Sequence, residues 1–173
     1  MAVVSKLVPH ILRFEGGFVD DPDDLGGATN KGVTLKTYKA YCRRKGYPVP
    51  TVERLKNLTD ERFCDLLKIM YWDACKADFI ESQSVANAIV DWAWNSGTAT
   101  AVKEIQKVLG VKSDGVIGNI TLSAINSHSP LPLFGLIQQT RKDYIDRICK
   151  ARPVNEKYRK GWMNRINSLY YEE

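Results

Sequence analysis

Histidine is scarce in this sequence. His10 and His128 are the only two among 173 residues, which argues against a His-rich metal hydrolase, whose zinc usually takes three protein ligands and commonly more than one His. The four cysteines, Cys42, Cys64, Cys75 and Cys149, stand far apart with no Cys-x-x-Cys pair. They read as buried thiols rather than a disulfide framework or a zinc site. No stretch approaches the apolar length needed to span a bilayer, so no stable membrane insertion is expected. The first residues, Met-Ala-Val-Val-Ser-Lys-Leu-Val-Pro-His-Ile-Leu-Arg, are interrupted by Lys6, Pro9 and His10, and no small-residue cleavage site follows. No secretion signal is therefore expected. Repeats and low-complexity segments are absent as well.

Lys and Arg exceed Asp and Glu by 25 to 20. That is a weak pull toward an anionic partner, and a solvated basic surface explains clusters such as Arg43-Arg44-Lys45 equally well. No nucleic-acid recognition motif accompanies the charge, and no nucleic acid is expected as a partner.

What is present reads as helix. Val4, Leu7, Val8, Ile11 and Leu12 share one face at helical spacing, predicting an amphipathic helix that ends near Glu15 with Gly16-Gly17 as terminator. Residues 17–34 have loop and hairpin composition. Helical patterns resume from Leu35 to Lys45, across Val52 to Lys56, from Thr59 to about Asp73, and from Ser84 to Asn95, where Ser96-Gly97 stops the pattern. Beyond Gly97 come Ala101 to Leu109, a glycine-bearing turn, a short helix to Ile125, a long one from Phe134 to about Lys150, and a last one after Pro153 to Tyr171. The expected fold is mainly α, of the α+β kind, with one small β-hairpin after the first helix.

The chemistry concentrates in residues 14–27, Phe-Glu-Gly-Gly-Phe-Val-Asp-Asp-Pro-Asp-Asp-Leu-Gly-Gly. Glu15 stands four after Ile11 and seven after Val8, so its carboxyl shares the buried face of the first helix. Such a group suits a proton donor; a helix-end carboxylate paired with an Arg or a backbone amide fits the position equally. Asp21, Asp23 and Gly26 match positions one, three and six of a calcium loop, but Leu25 and Gly32 then occupy positions that need oxygen ligands. Asp-Pro and Leu-Gly-Gly are also ordinary turn chemistry. The reaction that uses one protonated carboxyl and a second carboxylate across a developing positive centre is glycoside hydrolysis, with glycines letting the hairpin fold back over the helix end.

Residues 15–33, Glu-Gly-Gly-Phe-Val-Asp-Asp-Pro-Asp-Asp-Leu-Gly-Gly-Ala-Thr-Asn-Lys-Gly-Val, resemble the signature of glycoside hydrolase family 108, whose members are similar to phage-type lysozymes and include phage endolysins and secretion activators. The resemblance implies a lysozyme-like helical fold, N-acetylmuramidase activity on bacterial peptidoglycan, and no metal or organic cofactor. It places Glu15 as general acid. Phage-type lysozymes carry an Asp nine residues on, here Asp24, and a Thr six beyond that, here Asn30, while the family pattern itself selects Thr29. Either could complete the site. Asp21 and Asp20 stand in reserve as the second carboxylate, Asp21 also as a substrate contact.

Further along, Tyr71-Trp72-Asp73 resembles the family's Tyr-Trp stretch, and Asp91-Trp92-Ala93-Trp94-Asn95-Ser96-Gly97 is similar to a lysozyme helix ending in Phe-Asn-x-Gly. That makes Trp72, Trp94 and Asn95 candidate sugar contacts, with core packing the alternative for each tryptophan. Residues 101–126 resemble the core of a peptidoglycan-binding module, a motif that folding alone would also retain. Lys160-Gly161-Trp162-Met163-Asn164-Arg165 resembles the last lysozyme helix. The implied organisation is a lysozyme-like catalytic region over 1–97 and a peptidoglycan-binding-like helical region over 98–173, packed as one compact monomer. Synthesis in a bacterial cytoplasm and action on the cell wall would then call for a holin or another export partner. The rival readings are a non-catalytic wall-binding or secretion-accessory protein and, more remotely, an amidase or peptidase, for which neither His lies in a suitable pattern.

Overall fold

A computed structural model describes residues 1–20 and 27–172. The chain forms two compact units, Ser5–Met70 and a second made of Met1–Val4 with Tyr71–Glu173. Among the described residues are nine α-helices and one two-stranded antiparallel sheet, so the fold is mainly α with a small hairpin after the first helix.

A 3-10 turn at Val4–Lys6 precedes α1, Val8–Phe14, the first helix of the Ser5–Met70 unit. The sequence pattern expects one continuous helix here. Pro9 accounts for the later start, because proline suits the first turn, where its missing N–H leaves nothing unpaired. Helix α1 buries Val8 and Ile11. After it the chain runs extended, Val19 bridges Thr29, and β1 (Thr29–Asn30) pairs with β2 (Val33–Thr34) in the register Thr29 to Thr34 and Asn30 to Val33.

Threonines then start three helices in succession, each hydroxyl accepting the backbone N–H three residues on. Thr34 caps α2 (Leu35–Arg44), Thr51 caps α3 (Val52–Lys56) and Thr59 caps α4 (Asp60–Leu67). Gly46 ends α2 in the left-handed region, φ 68°. Its N–H and that of Tyr47 return to the carbonyls of Arg43 and Cys42, the paired closure of a Schellman motif. Tyr38, Tyr41 and Cys42 of α2, Leu55 of α3, and Phe63, Leu66 and Leu67 of α4 are buried. A π-helical turn, Lys68–Trp72, follows α4.

The second unit is organised by α5, Gln83–Ser96, capped by Ser82 and buried along most of its length. It packs against α6 (Thr98–Val108) and α8 (Pro130–Ala151). Gly97 at φ 84°, a backbone that favours glycine, separates α5 from α6 within this unit. Helix α7 spans Asn119–Ser127, and α9, Glu156–Asn167, packs on α8 through Ile145, Cys149 and Ile166. Helix α8 begins four residues before the expected Phe134, since Pro130 and Pro132 occupy a first turn that needs no N–H partners. Helix α9 stops short of Tyr171. The Ser168 hydroxyl donates to the Arg165 carbonyl at 2.8 Å, and the tail is tied to α5 by the Ser84 hydroxyl, which donates to the Glu172 carbonyl at 2.6 Å. No described helix is long and apolar enough to cross a membrane.

Candidate active site

Helix α1 delivers Glu15. As the helix C-cap it has extended backbone, φ −93° and ψ 141°, so the chain turns out of the helix at this residue. Its half-buried side chain lies over the hairpin turn. There the Glu15 Cγ, Cδ and Oε2 fill the space that a Cβ on Gly32 would take.

The turn beneath it is built from two positive-φ residues, Lys31 at 51° and Gly32 at 73°. That is the pattern of a two-residue type I′ hairpin, whose backbone twist matches that of the strands it joins. Glycine enters this region freely, whereas a lysine there is strained and must be held by its surroundings. The Lys31 N–H donates to the Gly16 carbonyl at 3.1 Å, and its ammonium pairs with Asp60. The buried Asn30 amide donates to the carbonyls of Leu55 and Lys56, each at 2.9 Å. The hairpin is thereby fastened to the end of α1, to α3 and to the start of α4.

This geometry separates the two residues that compete for the third position of the site. Asn30 spends its amide on α3. Thr29 is half-buried and tied to Val19 by two backbone hydrogen bonds of 2.9 and 2.8 Å, while its hydroxyl makes no hydrogen bond to another described residue. Asp20 is exposed. Asp21 and Asp24, together with the calcium-loop comparison, fall on residues 21–26, outside the described residues.

The remaining candidates belong to the second unit. Trp72 is completely enclosed and its indole N–H donates to Asp78 at 2.7 Å, so the ring offers no face to a sugar and serves packing. Trp94 is half-buried, tilted against Tyr71 with ring centres 4.9 Å apart. Asn95 is exposed at the end of α5, and its carbonyl accepts from Arg141. With Trp92, Ser96, Arg141, Tyr144 and Trp162 it lines a cavity of about 160 Å³. Arg141 also donates to the fully buried Asp91 at 2.7 Å. Burial draws the Arg141 guanidinium below its ordinary pKa, and the Asp91 carboxylate opposes that shift.

The stretch resembling a peptidoglycan-binding core is knit together by one buried residue, Gln106. Its amide donates to Asp114 at 2.9 Å, to the Val116 carbonyl at 3.0 Å and to the Thr121 hydroxyl at 3.0 Å, and its carbonyl accepts the Gly115 N–H at 2.8 Å. The Gln106 hydrogen bond holds the Asp114 carboxyl below its usual range. Gly115 needs to be glycine: its φ is 82°, and a Cβ would meet the Ala99 carbonyl at 3.2 Å. Gln, Asp-Gly and Thr in this motif thus build the turn between α6 and α7.

Sequence reasoning names neither Gly32, the Asp91 cluster nor Gln106 as important. Each lies inside a stretch quoted for its resemblance, Gly32 in the signature, Asp91 and Arg165 in the lysozyme-like helices and Gln106 in the peptidoglycan-binding-like motif. The contact of Gly32 with Glu15 depends on the hairpin closing back over α1, which spacing alone does not reveal.

A mainly α fold with one hairpin closing over a helix-end glutamate is the lysozyme-like class of architecture. The chain belongs to the glycosyl hydrolase 108 family, whose model matches residues 8–97. A second model, described as a predicted peptidoglycan domain, matches residues 100–167. Among solved structures, SagA of Brucella abortus is similar to the chain, at 34% identity and a TM-score of 0.78, with 96% of this chain and 90% of that one covered. No curated protein is significantly similar to it. The chain is accordingly a glycoside hydrolase with a lysozyme-like role on peptidoglycan.

Proposed function

We propose that the protein is an N-acetylmuramidase that hydrolyses the β-1,4 bond between N-acetylmuramic acid and N-acetylglucosamine. The observation that carries this reading is the position of Glu15: a carboxyl at the end of α1, set on the hairpin turn, inside the stretch matched to the family. In this reading Glu15 gives its proton to the glycosidic oxygen as the bond to the muramic acid C1 breaks, so the glucosamine leaves as an alcohol. Asp24 supplies the second carboxylate, facing the positive charge that develops at C1. Water adds there and surrenders its proton to a carboxylate, which completes hydrolysis. The uncommitted Thr29 hydroxyl suits the task of holding that water. Trp94 and Asn95 are the proposed sugar contacts of the second unit.

The test is digestion of purified sacculi, then borohydride reduction and mass analysis. Products ending in reduced muramic acid support the proposal. Reduced glucosamine ends would make the protein a glucosaminidase, free stem peptides an amidase, and intact sacculi that nevertheless bind it a wall-binding protein.

A further inference from the structure

We propose that Gly32 is a positioning residue for the Glu15 carboxyl, its missing side chain being the space in which that carboxyl sits. This inference rests on Glu15 as the proton donor. A Cβ built on Gly32 would stand 3.0 Å from Glu15 Cγ and closer still to its carboxyl carbon and Oε2. One of the two must move if residue 32 gains a methyl group. The turn resists, because the Lys31 N–H holds the Gly16 carbonyl, the Lys31 ammonium holds Asp60, and Asn30 holds two carbonyls at the end of α3. Against this multiply anchored backbone stands the end of one flexible side chain, so the Glu15 carboxyl is the part that shifts. A displacement near 1 Å is enough to cost about 10²-fold in rate when a reacting group must be in line.

The positive φ of Gly32 would penalise any side chain, whatever lies nearby, so a control has to share the strain and lack the collision. Gly46 meets that need. Its φ is 68° against 73° for Gly32, and a Cβ there meets nothing within 4 Å.

The experiment compares Gly32→Ala with Gly46→Ala in the full chain on solubilised peptidoglycan. Gly32→Ala is expected to lower kcat about 10²-fold with KM within about threefold of wild type. Gly46→Ala should stay within about twofold of wild type in both constants. Equal kcat in the two variants overturns the proposal and leaves the muramidase reading intact. Should wild type release no product at all, that reading fails, and the Glu15 carboxyl ¹³C resonance decides the positioning role. A resonance moved by Gly32→Ala alone supports it, and one that stays put overturns it. Should Gly32→Ala fail to fold, the double variant Glu15→Ala/Gly32→Ala, which lacks the colliding carboxyl, is expected to recover the fold. Failure of the double variant as well rejects the contact.

Discussion

Arg165 of α9 grips Asp91 of α5, its Nε and Nη2 lying 3.1 and 2.7 Å from one carboxylate oxygen across 74 residues of sequence. Arg141 of α8 takes the other oxygen at 2.7 Å, and all three side chains are buried. One carboxylate therefore ties α8 and α9 to α5. Asp91→Asn is isosteric but removes the negative charge that faces two buried guanidinium groups, and breaking a buried pair from one side costs about 3–5 kcal/mol. Thermal unfolding should show a midpoint lowered by roughly 10 °C or more for a chain of this size. An unchanged midpoint would mean that the cluster contributes nothing net.

Gln106 is the equivalent organiser of the α6–α7 turn, and its four hydrogen bonds predict what losing it does. Gln106→Ala leaves the Gly115 N–H without the carbonyl it donates to, at about 1–3 kcal/mol for a buried group left unsatisfied. Amide exchange at Gly115 should speed up markedly while α5 stays protected. Uniform loss of protection would show that the turn is not locally dependent on Gln106.

Asn30 and Thr29 are adjacent yet predicted to fail differently. Asn30→Ala removes both anchors onto α3 and should lower stability by about 1–3 kcal/mol, visible in urea unfolding. Thr29→Ala should leave stability within about 0.5 kcal/mol and reduce turnover. If Asn30→Ala instead keeps full stability and loses turnover, the phage-lysozyme count, and not the family pattern, names the third site residue.

That contrast shows where the sequence is readable. Helix starts are legible because a threonine before an apolar period has a local cause, and Thr59 is found that way. The end of α1 at Glu15 is legible for the same reason, through Gly16-Gly17. What Asn30 bonds to is decided by α3, some 25 residues away, and the partners of Asp91 lie 50 and 74 residues on. Such pairings follow from packing, which no local pattern encodes. Pro130 misleads in the opposite direction: proline is punctuation in a sequence and a helix starter in this fold.

Cys75 carries a prediction in pH. Burial alone pushes its thiol up from an ordinary value of 9.0 to about 12. The folded state keeps the proton that the unfolded chain gives up near pH 9.0, so this contribution to stability is complete below that pH and is lost as pH rises toward 12. Cys75→Ala should flatten the decline between those values. At pH 8, native alkylation mapped by mass should find Cys75 untouched while the half-buried Cys64 reacts. Equal labelling of the two would contradict the enclosure of Cys75.

The most direct test of the central claim is the rate at which wild type and Glu15→Gln release muropeptides from the same sacculi. The substitution keeps the shape over Gly32 and removes the proton. The account predicts a folded variant, with an unchanged unfolding midpoint to within about 2 °C, whose release of muramic-acid-ended products falls by about 10³-fold or more. A folded variant that retains a tenth or more of the wild-type rate would show that Glu15 is not the acid.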